Sequence, residues 1–339
     1  MRLLRESWAR TARLTVGLLN SITGGLATSE DGKKDRNVDM LIGGQAVIEG
    51  VMMRSLSGYA VAVRQPDGGI AIREDKLMAV TKKYPLLRFP VLRGSVVLIH
   101  SLILGIRALN FSASVSSEGE EGEPELTDWA IFTTMAFAFL LGIGLFVLAP
   151  LGLTNLIKHY LLPEMGNFVY NVIDGVIRAI VFFAYILLIS LMEDIRRLFM
   201  YHGAEHKTVY TFEAGEELSV ENAKGKSTLH PRCGTSFLLF VMAVSIVVFS
   251  LIPSTAPFAI KFAARVVLLP LIAGIAYEMI RFSARHLDKG WCRALIAPGL
   301  WLQRVTTKEP DETQLEIAIV ALEHALVYDG VETRTAAVA

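Results

Sequence analysis

The sequence is short of charged residues and of cysteine. Only 19% of its 339 residues are charged, whereas a soluble domain has about 25%. Basic and acidic residues are equal in number, 33 each, so the zero net charge gives no overall attraction to nucleic acid. Two cysteines, Cys233 and Cys292, are too few for a disulfide framework. These shortages argue against a soluble, nucleic-acid-binding or disulfide-rich protein and favour a membrane protein with reduced cysteines.

Long apolar runs are abundant, since 53% of the residues are hydrophobic. A helix needs roughly 20 apolar residues to cross a bilayer core of about 30 Å. Four runs approach or exceed this length, namely 129–154, 168–192, 237–254 and 258–280. A fifth run, 94–106, is shorter and includes His100, which favours a re-entrant or interfacial helix. The sequence therefore predicts a mainly α-helical, polytopic membrane protein with four spans and one such additional helix.

Lysine and arginine are distributed unevenly among the connections. Residues 194–234, the region after 280 and the N-terminal segment are rich in them, whereas the connection 155–167 has only Lys158. Basic connections remain in the cytosol. Four spans place every basic region and both chain termini on the cytosolic side. Five spans would put either the N-terminus or residues 194–234 outside.

The other segments differ in composition. Residues 41–85 predict a small cytosolic β-element, with a hairpin in which strands 59–64 and 70–73 flank the turn 65–69. Residues 311–330 predict an amphipathic helix that ends at Gly330. The first 28 residues favour an amphipathic helix on the membrane, with a cleaved signal as the alternative.

The expected organisation is an N-terminal extension (1–40), the β-element (41–85), the interfacial or re-entrant helix (86–110), an acidic linker (111–128), spans one and two (129–193), a cytosolic His/Cys loop (194–236), spans three and four (237–280) and a C-terminal region (281–339).

Two pairs of potential metal ligands lie between spans two and three. His202 and His206 are four residues apart, so on a helix they share one face. His230 and Cys233 are separated by two residues, a spacing typical of a turn that closes on a cation. Three imidazoles and a thiolate are the ligand number and type that Zn²⁺ prefers. The sequence therefore predicts a zinc site, with iron or manganese as alternatives.

The same residues admit a structural or a catalytic ion. If all four bind, the site is closed and holds spans two and three together. The pattern His202-x-x-Glu205-His206, however, has the form of the inverted zinc-peptidase motif, in which the glutamate is the general base. That motif needs a third ligand, for which His230 and a later glutamate of the same loop both qualify. Cys233 is then a fourth ligand or an active-site thiol.

Three further residues are candidates for substrate contacts. Glu49 and Arg54 belong to an apolar, glycine-interrupted segment, and Arg232 lies between His230 and Cys233. Their functional interpretation is that they orient a substrate or stabilise negative charge. For Glu49 and Arg54 the alternative is a buried strand with glycines at its turns.

Charged residues also occur inside the predicted spans. Asp174 and Arg178 are four residues apart on span two, which predicts an intrahelical ion pair, with a polar path across the bilayer as the alternative. Lys261 and Arg265, near the start of span four, are expected to extend outward to the membrane surface.

Several motifs together resemble the YqhQ-like family of bacterial membrane proteins. They are GGQAVIEGVMMR at 43–54, YHGAEHK at 201–207, EELSVEN at 216–222, LHPRCGTS at 229–236 and EPDETQLE at 309–316. The family is described as a domain of unknown function and as predicted metal-dependent enzymes. The resemblance implies that these motifs form one site in a multi-pass protein of the bacterial inner membrane, and it implies no substrate.

The function expected from these observations is a zinc-dependent hydrolase that acts at the cytosolic face on a membrane-associated substrate. A scaffold that recruits a protein partner and contains a structural zinc is the first alternative. A transporter using Asp174, Arg178 and Glu278 is the second. The sequence predicts the lipid bilayer as a partner and leaves the oligomeric state open.

Overall fold

The computed structural model describes residues 42–77, 89–117, 128–284, 286 and 289–331. The predicted N-terminal extension (1–40) and most of the predicted acidic linker lie outside the described residues. Everything described belongs to one unit that begins at Met40.

Residues 43–76 form a four-stranded antiparallel meander. The strands are β1 (Gly43–Val47), β2 (Gly50–Arg54), β3 (Gly58–Arg64) and β4 (Ile70–Lys76), in the spatial order β1-β2-β3-β4. The hairpin predicted around residues 65–69 is confirmed as β3 and β4. The glycine-interrupted segment before it is a second hairpin, with Glu49 at a positive φ of 51° in its two-residue turn.

The described helices follow the sheet. They are α1 (Leu92–Ser117), α2 (Asp128–Ile143), which continues through a π-helical turn (Gly144–Leu148) into α3 (Ala149–Tyr160), then α4 (Asn167–Ile189), α5 (Glu193–Glu213), α6 (Val220–Lys224), α7 (Gly234–Phe249), α8 (Phe258–Ala284), α9 (Gly290–Thr306) and α10 (Glu312–Val327).

Two helices cover the two faces of the sheet. Side chains alternate between faces along a strand, so Met53 and Ala62 join α10 residues such as Leu322 in one core cluster. Met52 and Val61 join α1 residues, including Leu104, in the other cluster. The sheet therefore ties the C-terminal helix to the first long apolar helix.

Four helices are long and apolar enough to span a membrane, which is the predicted number. They are not the same four segments, because Leu92–Ser116 is included and the predicted span 237–254 is not. They are Leu92–Ser116, Phe132–Tyr160, Asn167–Ile189 and Phe258–Ser283. The first continues beyond the predicted 94–106 because its C-terminal half, with Ala108 and Val115, packs on the sheet. The predicted span 237–254 is instead a 16-residue helix, α7, about 24 Å long at 1.5 Å per residue. It ends at Phe249, four residues before Pro253.

The predicted amphipathic helix near the C-terminus is confirmed as α10. Asp311 caps it, and Gln314 returns a side-chain bond to the backbone of Asp311, which completes a capping box. Gly330 has a φ of +70°, as expected for a residue that ends a helical segment. The four candidate membrane-spanning helices, the small sheet and this helix make up a mainly α-helical fold of the polytopic membrane class.

Candidate metal centre

The two histidines of α5 lie beside Cys233 at the start of α7. Most of the predicted His/Cys loop is helical, and the rings of His202 and His206 are 4.5 Å apart between centroids on one face of α5. One nitrogen from each ring and the Cys233 sulfur lie within 4.8 Å of one another. Three of the four predicted ligands are therefore close enough to share one cation.

Backbone carbonyl groups orient both imidazoles. His202 Nδ1 donates to the carbonyl of Thr306 (2.8 Å), at the end of α9, and His206 Nδ1 donates to the carbonyl of Thr228 (2.5 Å). Because a carbonyl oxygen only accepts, these bonds place the proton on Nδ1 and leave a lone pair on Nε2. This is the arrangement that metal-binding histidines usually have.

His206 Nε2 is buried and has no hydrogen-bond partner among the described residues. In the described part of the chain, the one hydrogen-bond partner of His202 Nε2 is the Cys233 sulfur, at 3.1 Å. An unpaired buried polar atom costs free energy unless something binds it. Nitrogen and sulfur donors suit zinc or another soft divalent ion, so the donor set fits the predicted metal.

Cys233 occupies the N-cap of α7. Its sulfur accepts hydrogen bonds from the backbone N–H and the hydroxyl of Thr235, at 3.5 and 3.3 Å. The N–H groups and the dipole at a helix N-terminus stabilise negative charge. The N-cap position therefore holds the Cys233 sulfur among hydrogen-bond donors, beside the two histidines of α5.

His230 lies next to the three-donor group and is not part of it. Its ring centroid is 5.7 Å from that of His206, and its Nε2 is 3.5 Å from a carboxylate oxygen of Glu213. Its backbone is held by Gln303, which accepts from the N–H (2.7 Å) and donates to the carbonyl (2.9 Å). Burial lowers the pKa of His230 to about 4, and the Glu205 carboxylate opposes this shift, so the ring is neutral at pH 7.

Arg232 forms an ion pair with Glu213, the glutamate that also faces His230. Glu213 is one of the later glutamates that could have been a third metal ligand. It contacts Arg232 and His230 instead and is not among the three grouped donors. Arg232 nevertheless lines the same cavity as the two histidines of α5.

A cavity of about 330 Å³ opens next to the three donors. Glu205 lines it, is only 6% exposed, and accepts a hydrogen bond from the backbone N–H of Gly44 in β1 (2.8 Å). A Cβ at Gly44 would lie 2.1 Å from the carbonyl oxygen of Met52, so β1 requires glycine there. Strand β1 thus supplies one cavity wall and fixes one oxygen of the Glu205 carboxylate.

The other two predicted substrate contacts lie away from this cavity. Glu49 bonds to Arg197 (2.6 Å) and to the hydroxyl of Tyr201 (3.2 Å). Arg54 donates to Ser101 of α1 (3.2 Å) and lines a second, smaller cavity of about 180 Å³. Burial lowers the pKa of Arg54, yet a guanidinium remains charged in proteins. Gly43, Gly44 and Gln45 line both cavities, so β1 separates Arg54 from the histidines.

Sequence reasoning missed the groups that position the histidines. Gln303 is fully buried, and its sequence signal was only an amide near the end of a largely apolar helix that also contains Arg293 and Arg304. The carbonyl groups of Thr228 and Thr306 have no sequence signal, because every residue has a carbonyl group.

Inside the apolar helices, the predicted ion pair of Asp174 with Arg178 is confirmed at 2.9 Å. The expectation that Lys261 and Arg265 extend outward is wrong, since they are 4% and 2% exposed. Arg265 is held inside because it also binds Asp174, at 2.8 Å.

Comparison with known proteins identifies the family. Residues 89–328 match a family described as "Protein of unknown function (DUF1385)". The chain belongs to this family. It is also 34% identical over 300 residues to the "Uncharacterized protein YqhQ" of Bacillus subtilis (strain 168), covering 84% of this chain and 92% of that protein. No solved structure matches the chain. The resemblance to the YqhQ-like family is therefore confirmed.

Proposed function

We propose that this protein is a zinc-dependent membrane enzyme, a hydrolase that acts at the cytosolic face on a membrane-associated substrate. One observation carries the proposal. Two oriented imidazoles and a helix-capping thiol converge within 4.8 Å on the wall of a cavity that also contains a buried carboxylate. Zinc hydrolases combine these two elements, an ion with an open position and a neighbouring general base.

The ligand count favours a catalytic ion over a structural one. His202, His206 and Cys233 supply three donors, whereas the His230 ring contacts Glu213 through Nε2 and accepts from the backbone N–H of Arg232 at Nδ1. Structural zinc sites are closed by four protein ligands, whereas catalytic sites have three.

Each side chain has a definable role in this proposal. A bound zinc ion supplies Lewis acidity and makes water a nucleophile near neutral pH. Glu205, with one oxygen fixed by Gly44, acts as the general base. Its other oxygen accepts a proton from the attacking water and passes that proton to the leaving group. Arg232, on the cavity wall, stabilises negative charge that develops on the substrate.

The surroundings favour an amphiphilic substrate. Leu198, Phe199 and Leu238 add apolar side chains to the cavity lining. The cavity lies where α5 follows α4 and where α7 begins, so it is close to the end of a candidate membrane span. A substrate with an apolar part in the bilayer and a hydrolysable polar group at the surface fits this position.

The test compares wild-type protein with Glu205→Gln. The glutamine Oε1 can still accept from Gly44, so the fold and the bound metal are expected to remain. Both proteins, purified with zinc, are incubated with defined phospholipids and with membrane-embedded peptides, and products are followed by mass spectrometry. We expect hydrolysis by the wild type and a loss of at least about 100-fold in the variant, a typical contribution of a general base.

The competing hypothesis is a scaffold with a structural zinc. It is favoured by the carbonyl groups of Thr228 and Thr306, which link the histidines to two separate segments. Under that hypothesis Glu205→Gln has no effect on any activity, and metal removal releases α5 from the start of α7, where Cys233 lies. Equal product formation by wild type and variant would reject the enzymatic role.

A further inference from the structure

A second buried polar cluster lies at the opposite end of α7 from Cys233. It consists of Asp174 and Arg178 of α4, Lys261 and Arg265 of α8, and Tyr170 and Asn155 beside them. Arg178 and Arg265 both lie over the ring of Phe249, the last residue of α7, at 4.9 and 5.2 Å. Since α7 is about 24 Å long, this basic cluster is separate from the candidate metal centre.

The basic cluster contains more positive than negative charge. Asp174 uses both carboxylate oxygens, one for Arg178 (2.9 Å) and one for Arg265 (2.8 Å). Among the described residues, Lys261 bonds only to neutral oxygens, those of Asn155 (3.1 Å) and the Tyr170 hydroxyl (3.2 Å). Three cations therefore face one carboxylate, an excess of two positive charges.

This excess is buried within membrane-spanning helices. Asp174, Lys261 and Arg265 are 2%, 4% and 2% exposed. Lys261 and Arg265 are four residues apart on α8, so two like charges share one face. Charge inside the bilayer is costly unless it is paired, and such residues commonly mark functional sites.

The arginines still have donors to offer. The Nε atoms of Arg178 and Arg265 are both buried and have no hydrogen-bond partner in the described part of the chain. The unpaired donors are independent of the excess positive charge. Both observations indicate that the cluster binds an anion with several acceptor oxygens.

The basic cluster has a less buried side. Two ammonium groups lie close to the ring of Tyr170, Lys261 at 4.3 Å and Lys158 at 5.7 Å from its centroid. Lys158 is half-buried and donates to the hydroxyl of Ser254, in the turn after α7. Lys158 and Tyr170 thus connect the buried charges to the end of the helices, where lipid headgroups lie.

We infer that this basic cluster binds a phosphate-bearing anion at the membrane end remote from the metal centre. Phosphate oxygens match guanidinium and ammonium donors in both charge and geometry. The anion is either the headgroup of an anionic lipid or a soluble phosphate, since both present the same oxygens. The site does not depend on the proposed hydrolase activity, because none of its residues contacts the metal donors.

The experiment uses the full-length protein and the variant Lys261→Gln. Glutamine can still bond to Asn155 and Tyr170, and Asp174 retains both arginines, so the fold is expected to persist. The control is Arg304→Gln, which removes an exposed cation in the last turn of α9, the helix whose final residue, Thr306, bonds to His202. Native mass spectrometry measures phosphatidylglycerol and phosphatidylcholine retained from nanodiscs, and thermal unfolding in neutral detergent measures binding of inorganic phosphate.

We expect one phosphatidylglycerol per chain, retained in preference to phosphatidylcholine, with affinity about tenfold lower in Lys261→Gln and unchanged in Arg304→Gln. If inorganic phosphate raises the unfolding temperature and phosphatidylglycerol does not bind selectively, the site takes a soluble phosphate. If neither probe binds, or if Lys261→Gln retains as much of either as the wild type, the inference is wrong.

Discussion

The two ends of α7 present opposite chemistry in the same apolar surroundings. At the Cys233 end, two imidazoles and a thiol converge, and the described structure leaves the Nε2 atom of His206 without a partner. At the Phe249 end, cations converge, and the groups without partners are N–H donors. The first end therefore suits a cation and the second an anion.

The difference shows that burial alone does not indicate what a polar site does. Both ends hold side chains that are almost inaccessible to water. The two ends differ in which kind of hydrogen-bonding group has no partner. It is an acceptor nitrogen at His206 and two N–H donors at Arg178 and Arg265. The metal centre and the anion site can each be tested by a substitution that leaves the other end of α7 unchanged.

The largest expected effect is that of Asp174→Asn. It leaves three buried cations without a carboxylate, and breaking a buried ion pair costs about 3–5 kcal/mol of unfolding free energy. Metal content should not change, because the Cys233 end is untouched. Thermal and denaturant unfolding in detergent measure the first quantity, and elemental analysis the second. The control, Glu316→Gln, breaks the exposed pair with Arg64 and should cost no more than about 1 kcal/mol.

His206→Ala should have the next largest effect and act at the other end. It removes one of three metal donors, so bound zinc should fall to background. Metal present at a hundredfold excess over its dissociation constant stabilises the fold by about 2.7 kcal/mol, and this amount should be lost. His324→Ala removes a histidine that pairs with Glu74 outside the site and should retain full metal content. Normal zinc content in His206→Ala would contradict the assignment of the centre.

A smaller effect is expected for Gly203→Ala, next to His202 on α5. The added Cβ would lie 2.1 Å from the carbonyl oxygen of Lys308, and backbone cannot rotate away as a side chain can. We expect a loss of about 1–3 kcal/mol, typical of overpacking, together with weaker zinc binding as α5 shifts away from α9. Gly225→Ala is the matched control, since nothing lies within 4 Å of its Cβ. Equal zinc affinity in both variants would show that this close approach does not position the site.

The smallest effect is expected for Asp311→Ala. It removes the N-cap of α10, which contributes about 1 kcal/mol, and it touches neither end of α7. Zinc content and lipid retention should both match the wild type. A change in either would mean that general destabilisation, rather than local chemistry, explains the other variants.

Short-range features were predictable because helical spacing determines them. The four-residue spacing of His202 and His206 predicted one face, and their rings are adjacent. The same spacing predicted the Asp174–Arg178 pair. His230 is different, since its backbone is bonded to Gln303, 73 residues away. No local pattern predicts a contact of that range.

The sequence by itself determined the membrane class, three of the four long apolar helices, the hairpin, the capped C-terminal helix and the histidine pair on α5. These depend on composition, periodicity and capping, which act within a few turns of chain. Only the tertiary structure decided that Cys233 joins that pair and His230 does not, that β1 holds Glu205, and that Lys261 and Arg265 turn inward, Arg265 to Asp174. Partners on different elements depend on how helices and strands pack, because the angle of a side chain on its own helix does not specify what lies opposite.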